Sequence, residues 1–262
     1  MPNQNDVIEG LRSIGLRAPA DSLRALLEHT TKSRASPWET CEQLVTLERR
    51  ERDSRNLAHR QKSAALGTFK TVDRFDWSHP RQIDRALYEQ LTTLDFLRRG
   101  ENALFRGQSG VGKTTLAQNL GLLALQQGFT VRFSSLAAAL ADLLRQESLP
   151  AFERHLRRYT RPDLLILDEI GYLPCDARAA DLLFNIVSRR HEKRSLLITT
   201  NLAFKDWSTT FPGAACVVAL VDRFVEHCHV LDIDADSWRQ KHAHQPAPST
   251  AQPKPRKPSK RS

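Results

Sequence analysis

Gly107-Gln108-Ser109-Gly110-Val111-Gly112-Lys113-Thr114 follows the apolar run Ala103-Leu104-Phe105 and leads into Leu116, Leu120, Leu123 and Ala124. The later four recur at the spacing of a buried helical stripe, so the text reads strand, loop, helix. The pattern G-x-x-x-x-G-K-[ST] predicts a phosphate-binding loop. Its glycines let backbone N–H groups turn inward around phosphate oxygens, where a Cβ would block the turn or the approach. Gly107, Gln108, Ser109, Gly110, Val111, Gly112, Lys113, Thr114 and Thr115 are the expected binding residues. Lys113 would reach the β- and γ-phosphates and Thr114 would offer its hydroxyl to Mg²⁺. The helix N-terminus adds a positive dipole end at the same place.

A second motif supports the first. Leu164-Leu165-Ile166-Leu167-Asp168-Glu169 is a continuous apolar run ending in two acids, as expected of a strand buried on both faces of a parallel sheet. Asp168, at the carboxyl end, would hold Mg²⁺ beside Thr114. Glu169 would take a proton from a water aimed at the γ-phosphorus, a base that an ATP hydrolase needs and a simple phosphotransferase does not. Further on, Ser195-Leu196-Leu197-Ile198-Thr199-Thr200-Asn201 reads as another buried strand with a polar end. Asn201, or Thr200 beside it, is placed to hold the attacking water or sense the γ-phosphate. A small-molecule kinase and a passive DNA-binding protein with a structural nucleotide are the other classes that a phosphate loop admits.

Composition limits the rest. The chain has 262 residues and a formal charge of +9, but residues 239–262 carry seven Lys/Arg and no acid, leaving 32 basic against 30 acidic residues elsewhere. Five prolines (246, 248, 253, 255, 258) make 239–262 read as a disordered basic tail, either solubilising or laid along an acidic partner. Cys41, Cys175, Cys216 and Cys228 lack any metal-ligand or C-x-x-C spacing, so reduced thiols are expected. No signal region opens the chain and no apolar run approaches transmembrane length, which predicts a soluble cytoplasmic protein with no membrane contact.

Taken in order, Val7, Leu11 and Ile14 predict a first helix, and Leu23, Leu26 and Leu27 a second, capped by Asp21 or Ser22. Ser36-Pro37-Trp38-Glu39 is a capping box with proline at the first helical position. It opens a longer helix in which Trp38, Cys41, Leu44, Val45 and Leu47 form one apolar face. From Arg49 to Lys62 six basic residues face two acids, an exposed arm suited to DNA phosphates or simply to solvent. Phe69, Val72, Phe75 and Trp77 must bury, either by packing on the next domain or by walling an adenine ring. Ile83, Leu87, Leu91 and Leu94 predict a helix stopping at Gly100. Thr130 to Phe133 predicts a strand, Leu136 to Leu149 and Phe152 to Tyr159 two helices. Ala179 to Val187 and Val217 to Val225 predict two more, and Val230 to Ile233 a last strand. Four or five parallel strands with intervening helices make a three-layer α/β P-loop NTPase core, preceded by a small all-helical part. The expected domains are 1–66 helical, 67–238 ATPase and 239–262 tail.

The span from about Phe75 to Arg239 resembles the IstB-like branch of the AAA+ ATPases, helper ATPases of insertion-sequence transposition related to DnaC-type helicase loaders. The resemblance is carried by Phe75-Asp76-Trp77, Asn102 with the phosphate loop, Asp168-Glu169-Ile170-Gly171-Tyr172-Leu173-Pro174 and Ile198-Thr199-Thr200-Asn201. Phe204-Lys205-Asp206-Trp207, Asp222-Arg223 and Ser237-Trp238-Arg239 complete it. Thr200 stands where Ser is common and His191 where Tyr is common. The resemblance implies ATP and Mg²⁺ as cofactors, and Walker roles for Lys113, Thr114, Asp168 and Glu169. It implies a sensor role for Asn201, and an arginine finger at Arg223 that acts on the neighbouring subunit's ATP. It further implies a homo-oligomer on double-stranded DNA that presents target DNA to a partner transposase and stimulates it. A DnaC-like replicative helicase loader is the alternative, differing only in partner.

Overall fold

In the computed structural model, residues 3–171, 177–211 and 215–236 are described. Tyr172, Leu173, Pro174, Cys175, Ser237, Trp238, Arg239 and the basic tail therefore lie outside the described residues. Among them α1 (Gln4–Ser13), α2 (Ala20–Lys32) and α3 (Pro37–Ala64) come first. There follow β1 (Gln82–Ile83), α4 (Arg85–Thr92), α5 (Asp95–Arg99), β2 (Asn102–Gly107), α6 (Lys113–Gln126), β3 (Val131–Ser135), α7 (Leu136–Leu144) and α8 (Leu149–Thr160). The last are β4 (Leu164–Ile170), α9 (Ala177–Arg190), β5 (Ser195–Thr200), α10 (Trp207–Thr210), α11 (Val217–Val225) and β6 (Cys228–Asp234). No helix among them is long and apolar enough to cross a membrane.

The six strands form one sheet in the order β1-β6-β2-β5-β4-β3. Five are parallel, and β1 adds an antiparallel edge through Gln82 opposite Asp234 and Ile83 opposite Ile233. Successive side chains of a strand face opposite sides, and here both sides are dry. Ala103, Phe105, Ile166 and Leu197 join α4, α5 and α6 in one core, whereas Leu104, Leu165, Leu167, Leu196 and Ile198 join α7, α8, α9 and α11 in the other. That double burial explains why β2, β4 and β5 read as unbroken apolar runs.

Several expected boundaries shift. Ile83 sits in β1 rather than in a helix, and the expected single helix up to Gly100 is two, α4 and α5, parted at Leu94 by a left-handed turn at φ 62°. Gly100 does terminate α5 in the left-handed conformation. The helix expected from Leu136 to Leu149 stops at Leu144, and Ser148 caps α8. Neither Asp21 nor Ser22 caps α2; Pro19 precedes it without a side-chain cap. In α1 the buried residue is Ile8, while Ile14 is 75% exposed. On α3 only Leu44 and Leu47 face the small core of Ile8, Ala18 and Leu23. Trp38 is 85% exposed, and Cys41 and Val45 are exposed with it, so only the Leu44 and Leu47 part of the expected apolar face is covered.

Candidate functional site

The parallel strands end at one edge of the sheet, where an α/β fold holds its ligands. β2 lies in the middle, between β6 and β5, so the loop after it opens onto that edge with the ends of β4 and β5 beside it. Glycine is required there at two levels. Gly110 and Gly112 have φ of +83° and +98°, and a Cβ on Gly107 would come within 2.3 Å of the Ile233 carbonyl oxygen. A Cβ on Gly112 would meet the Phe75 ring at 2.6 Å. The loop backbone is thus a cradle with no room for side chains at these positions. Lys113 is buried, and its Nζ donates to the carbonyls of Gly107 and Gln108 at 2.8 Å each. Those bonds fold the lysine back across the loop, while α6 begins at Lys113 and aims its N-terminus into the cradle.

The two acids arrive by a local departure from regular pairing. On β4, Leu167 pairs with Ile198 but Ile170 pairs with Thr200, so the acid strand carries one extra residue and bulges at Asp168-Glu169. Asp168 remains buried and Glu169 turns out to the cavity with φ at +63°. A left-handed, non-glycine residue costs about 1–3 kcal/mol and persists where its surroundings over-determine it. The determinant is Thr199. Its hydroxyl donates to Asp168 Oδ1 at 2.5 Å and accepts the Glu169 N–H at 3.0 Å. Thr114 Oγ1 donates to the same carboxylate, 2.9 Å from Oδ1 and 3.2 Å from Oδ2. The loop hydroxyl, the first acid and the second acid are therefore one connected set.

A cavity of about 320 Å³ joins these groups to the segment between α3 and β1. It is walled by Ser109 to Thr115, Glu169 and Thr200 together with Lys70, Arg74, Phe75, Asp76 and His79. Phe75 and Trp77 also pack on the main core, with ring centroids 4.8 Å apart, and Trp77 continues to Tyr88 at 5.4 Å. Burial pushes the Tyr88 phenol well above its ordinary pKa, and its O–H donates to the Leu116 carbonyl. The Phe69 to Trp77 stretch packs on the core, as one of the two expectations had it, and its Phe75 also lines the cavity.

Two expected residues stand apart. Asn201 is exposed just past β5, close to Gly171, where a Cβ would lie 3.3 Å from Asn201 Oδ1; it is Thr200 that lines the cavity. The Thr200 hydroxyl donates to the Ile170 carbonyl and accepts from the Leu202 amide. Arg223, on α11, lies over the Phe184 ring at 4.9 Å and donates to Ser188 Oγ at 2.5 Å. It borders a separate groove with Phe204, Val221 and Glu226, none of which lines the phosphate-loop cavity. Sequence reading missed Thr199, although a threonine in an otherwise apolar buried strand beside an acid-ending strand is a usable signal. It also missed Lys70, Arg74, Asp76 and His79, for which spacing offers none.

A profile of the family described as IstB-like ATP binding protein matches residues 10–246. Among curated relatives, the chain is 36% identical over 219 residues to an ATP-binding protein named for insertion sequence IS21 in Pseudomonas aeruginosa, covering 84% of this chain and 83% of the relative. It is 34% identical to the one named for IS232 in Bacillus thuringiensis subsp. berliner, covering 88% and 92%. Among solved structures, DnaI superposes with a TM-score of 0.54 at 15% identity, over 64% of this chain and 92% of that one. A DNA replication initiation factor gives 0.52 at 21%, over 63% and 50%. The structural likenesses speak for the fold alone, a P-loop AAA+ core.

Proposed function

The chain belongs to the family of IstB-like ATP binding proteins, and from that premise we propose that it is a magnesium-dependent ATPase that assists insertion-sequence transposition. It assembles as a homo-oligomer on double-stranded DNA, presents target DNA to the transposase of the same element and stimulates it, and hydrolysis drives disassembly. The observation that carries this reading is the link through Thr199 of Asp168, Glu169 and the phosphate-loop hydroxyl of Thr114. A site that only gripped a nucleotide has no use for a second acid held at a strained φ over the cavity.

Each group then has a task. The Gly107 to Thr115 backbone and Lys113 bind the phosphates of ATP. Thr114 and Asp168 are the oxygen donors that would hold Mg²⁺, a hard cation suited to them, which when bound neutralises phosphate charge. Glu169 accepts the proton of a water as its oxygen bonds to the γ-phosphorus and the bond to the β-phosphate oxygen breaks, giving ADP and phosphate. Asn201, expected to orient that water, lies just past β5 and outside the cavity lining, so Thr200 is the strand-end residue beside the site. Arg223 faces a groove outside its own subunit's cavity, which supports action on a neighbour's ATP. Exposed Arg49, Arg50 and Lys62 on α3, and Arg154 and Arg157 on α8 with Arg161 just past it, supply cationic groups for DNA phosphates. The helicase-loader alternative shares all of this chemistry, and the insertion-sequence names of the curated relatives weigh against it.

Light scattering with and without duplex DNA and a non-hydrolysable ATP analogue tests the whole reading. Large particles should form only when both are present, and Lys113→Ala should prevent them. Assembly of Lys113→Ala indistinguishable from the parent would overturn the coupling.

A further inference from the structure

We propose that Asn119 is a positioning residue for the nucleoside half of the ligand: it fixes the wall against which base and sugar rest, and so sets affinity for ATP without acting on the phosphates. The inference rests on the ATP-binding reading of the site. Residues 66–75 form a strap running from the end of α3 to the cavity. Two consecutive side chains of α6 hold it by its backbone. Gln118 Nε2 donates to the Leu66 carbonyl at 2.7 Å. Asn119 is buried; its Nδ2 donates to the Lys70 carbonyl at 2.8 Å and to the Thr115 carbonyl at 2.8 Å, and its Oδ1 accepts the Val72 N–H at 2.9 Å.

Val72 begins a single 3₁₀ turn to Arg74, closed by Arg74 N–H to the Thr71 carbonyl and Phe75 N–H to the Val72 carbonyl at 3.0 Å each. The far side of that turn supplies Lys70, Arg74 and Phe75 to the cavity. Phe75 in turn lies against Gly112 of the phosphate loop. One helix therefore positions two parts of the cavity wall: its first turn carries Lys113 and Thr114, and Asn119, in its second turn, carries the strap. A triphosphate alone needs only the first. A nucleoside needs the second as well. A side chain whose donors and acceptor are all satisfied by strap and helix backbone is a brace rather than a reacting group.

The test compares binding of ATP and of inorganic tripolyphosphate to the full-length protein, with steady-state turnover alongside. Asn119→Ala should weaken ATP by about tenfold, the factor corresponding to ~1.4 kcal/mol, and leave tripolyphosphate within about twofold, the scale of experimental scatter for one lost contact. KM for ATP should rise with kcat held. Asn119→Asp keeps the acceptor for Val72 N–H but sets a carboxylate against the Lys70 carbonyl; it should show the same split and serves where the alanine variant does not fold. Equal weakening of both ligands, or of neither, overturns the assignment. A parent protein that binds tripolyphosphate as tightly as ATP overturns it too, while leaving the phosphate loop intact. A parent that binds neither removes the ATP reading itself.

Discussion

Thr199→Val is the sharpest probe of how the acids are held. Valine fills nearly the same volume, so packing between β4 and β5 is kept and the change is confined to the hydroxyl. Two bonds go: the donation to the Asp168 carboxylate at 2.5 Å and the acceptance from the Glu169 amide at 3.0 Å. A hydrogen bond to a charged group contributes about 1.5–3 kcal/mol and a neutral one about 1 kcal/mol, so a stability loss of ~3 kcal/mol is expected. For a body of this size, at about 2–4 °C per kcal/mol, melting should fall by roughly 6–12 °C. Function should separate into two parts. Asp168 keeps its bond from Thr114, so tripolyphosphate and ATP binding should change little. Glu169 loses the anchor of a φ of +63°, and kcat should drop by about tenfold or more, each factor of ten being ~1.4 kcal/mol of barrier. Thr199→Ser, which keeps the hydroxyl, should restore turnover. Differential scanning fluorimetry, ligand titration and single-turnover hydrolysis read the three quantities. Native melting together with native turnover in Thr199→Val refutes the argument, as does a loss of turnover matched by an equal loss of ATP binding.

Mixing Arg223→Ala with Glu169→Gln subunits should recover part of the ATPase rate that each lacks alone, because one supplies the base and the other the finger; a flat rate at every ratio counts against action in trans. Gly112→Ala places a Cβ 2.6 Å from Phe75 at a φ of +98°, a strain of about 1–3 kcal/mol, so ATP affinity should fall by at least about tenfold in calorimetric titration. At the opposite end of the sheet, hydrogen bonds from Arg99 and then His229 hold Glu101 down to a pKa of about 2, against an ordinary 4.5. A depressed carboxylate stabilises the fold fully above about pH 4.5 and loses that contribution as pH falls toward 2. Glu101→Gln should therefore melt lower at pH 7 and show a shallower decline between pH 5 and 2; an unchanged acid profile would contradict the pairing.

The parts of the fold that sequence makes legible are those where burial acts on both faces of a strand. Leu164 to Leu167 are apolar without alternation because each side of β4 meets a helical layer, and a pattern with no polar face can be read without knowing what covers it. The phosphate loop is legible for another reason: Gly107, Gly110 and Gly112 are demanded by backbone geometry, which is local. Misreadings fall where the outcome depends on a distant partner. Ile83 has the spacing of the α4 stripe, and only the edge of β6, about 150 residues later in the chain, turns it into a strand. Trp38 and Val45 lie about 100–120° round α3 from Leu44, so the small core of Ile8, Ala18 and Leu23 that takes up Leu44 leaves them exposed. Thr199 leaves a usable signal, a hydroxyl in an apolar strand, but like the Asn119 amide it announces a bond without naming its partner.

The longest helix joins these two kinds of information. A boundary at 66 follows the change in composition, but α3 has met the α/β body well before it. Near its start Leu44 and Leu47 pack on the small helical core, and the buried Glu48 carboxylate accepts the amides of Arg17 and Ala18 at 2.8 Å each. Near its end Leu57 and Ala64 enter the main core, Arg60 donates to the Leu125 carbonyl, and Ser63 accepts from Arg132 of β3. It thereby lies along β3, the outer strand of the sheet, and covers an edge whose unpaired backbone groups would otherwise invite another strand. A helix that serves two cores on different faces has no single apolar stripe, which is why its second half reads as a solvated arm. Two residues past its last turn the strap begins at Leu66, held by Gln118. A displacement of the helical module carried along α3 therefore reaches β3 directly and, through the strap, the wall of the nucleotide cavity.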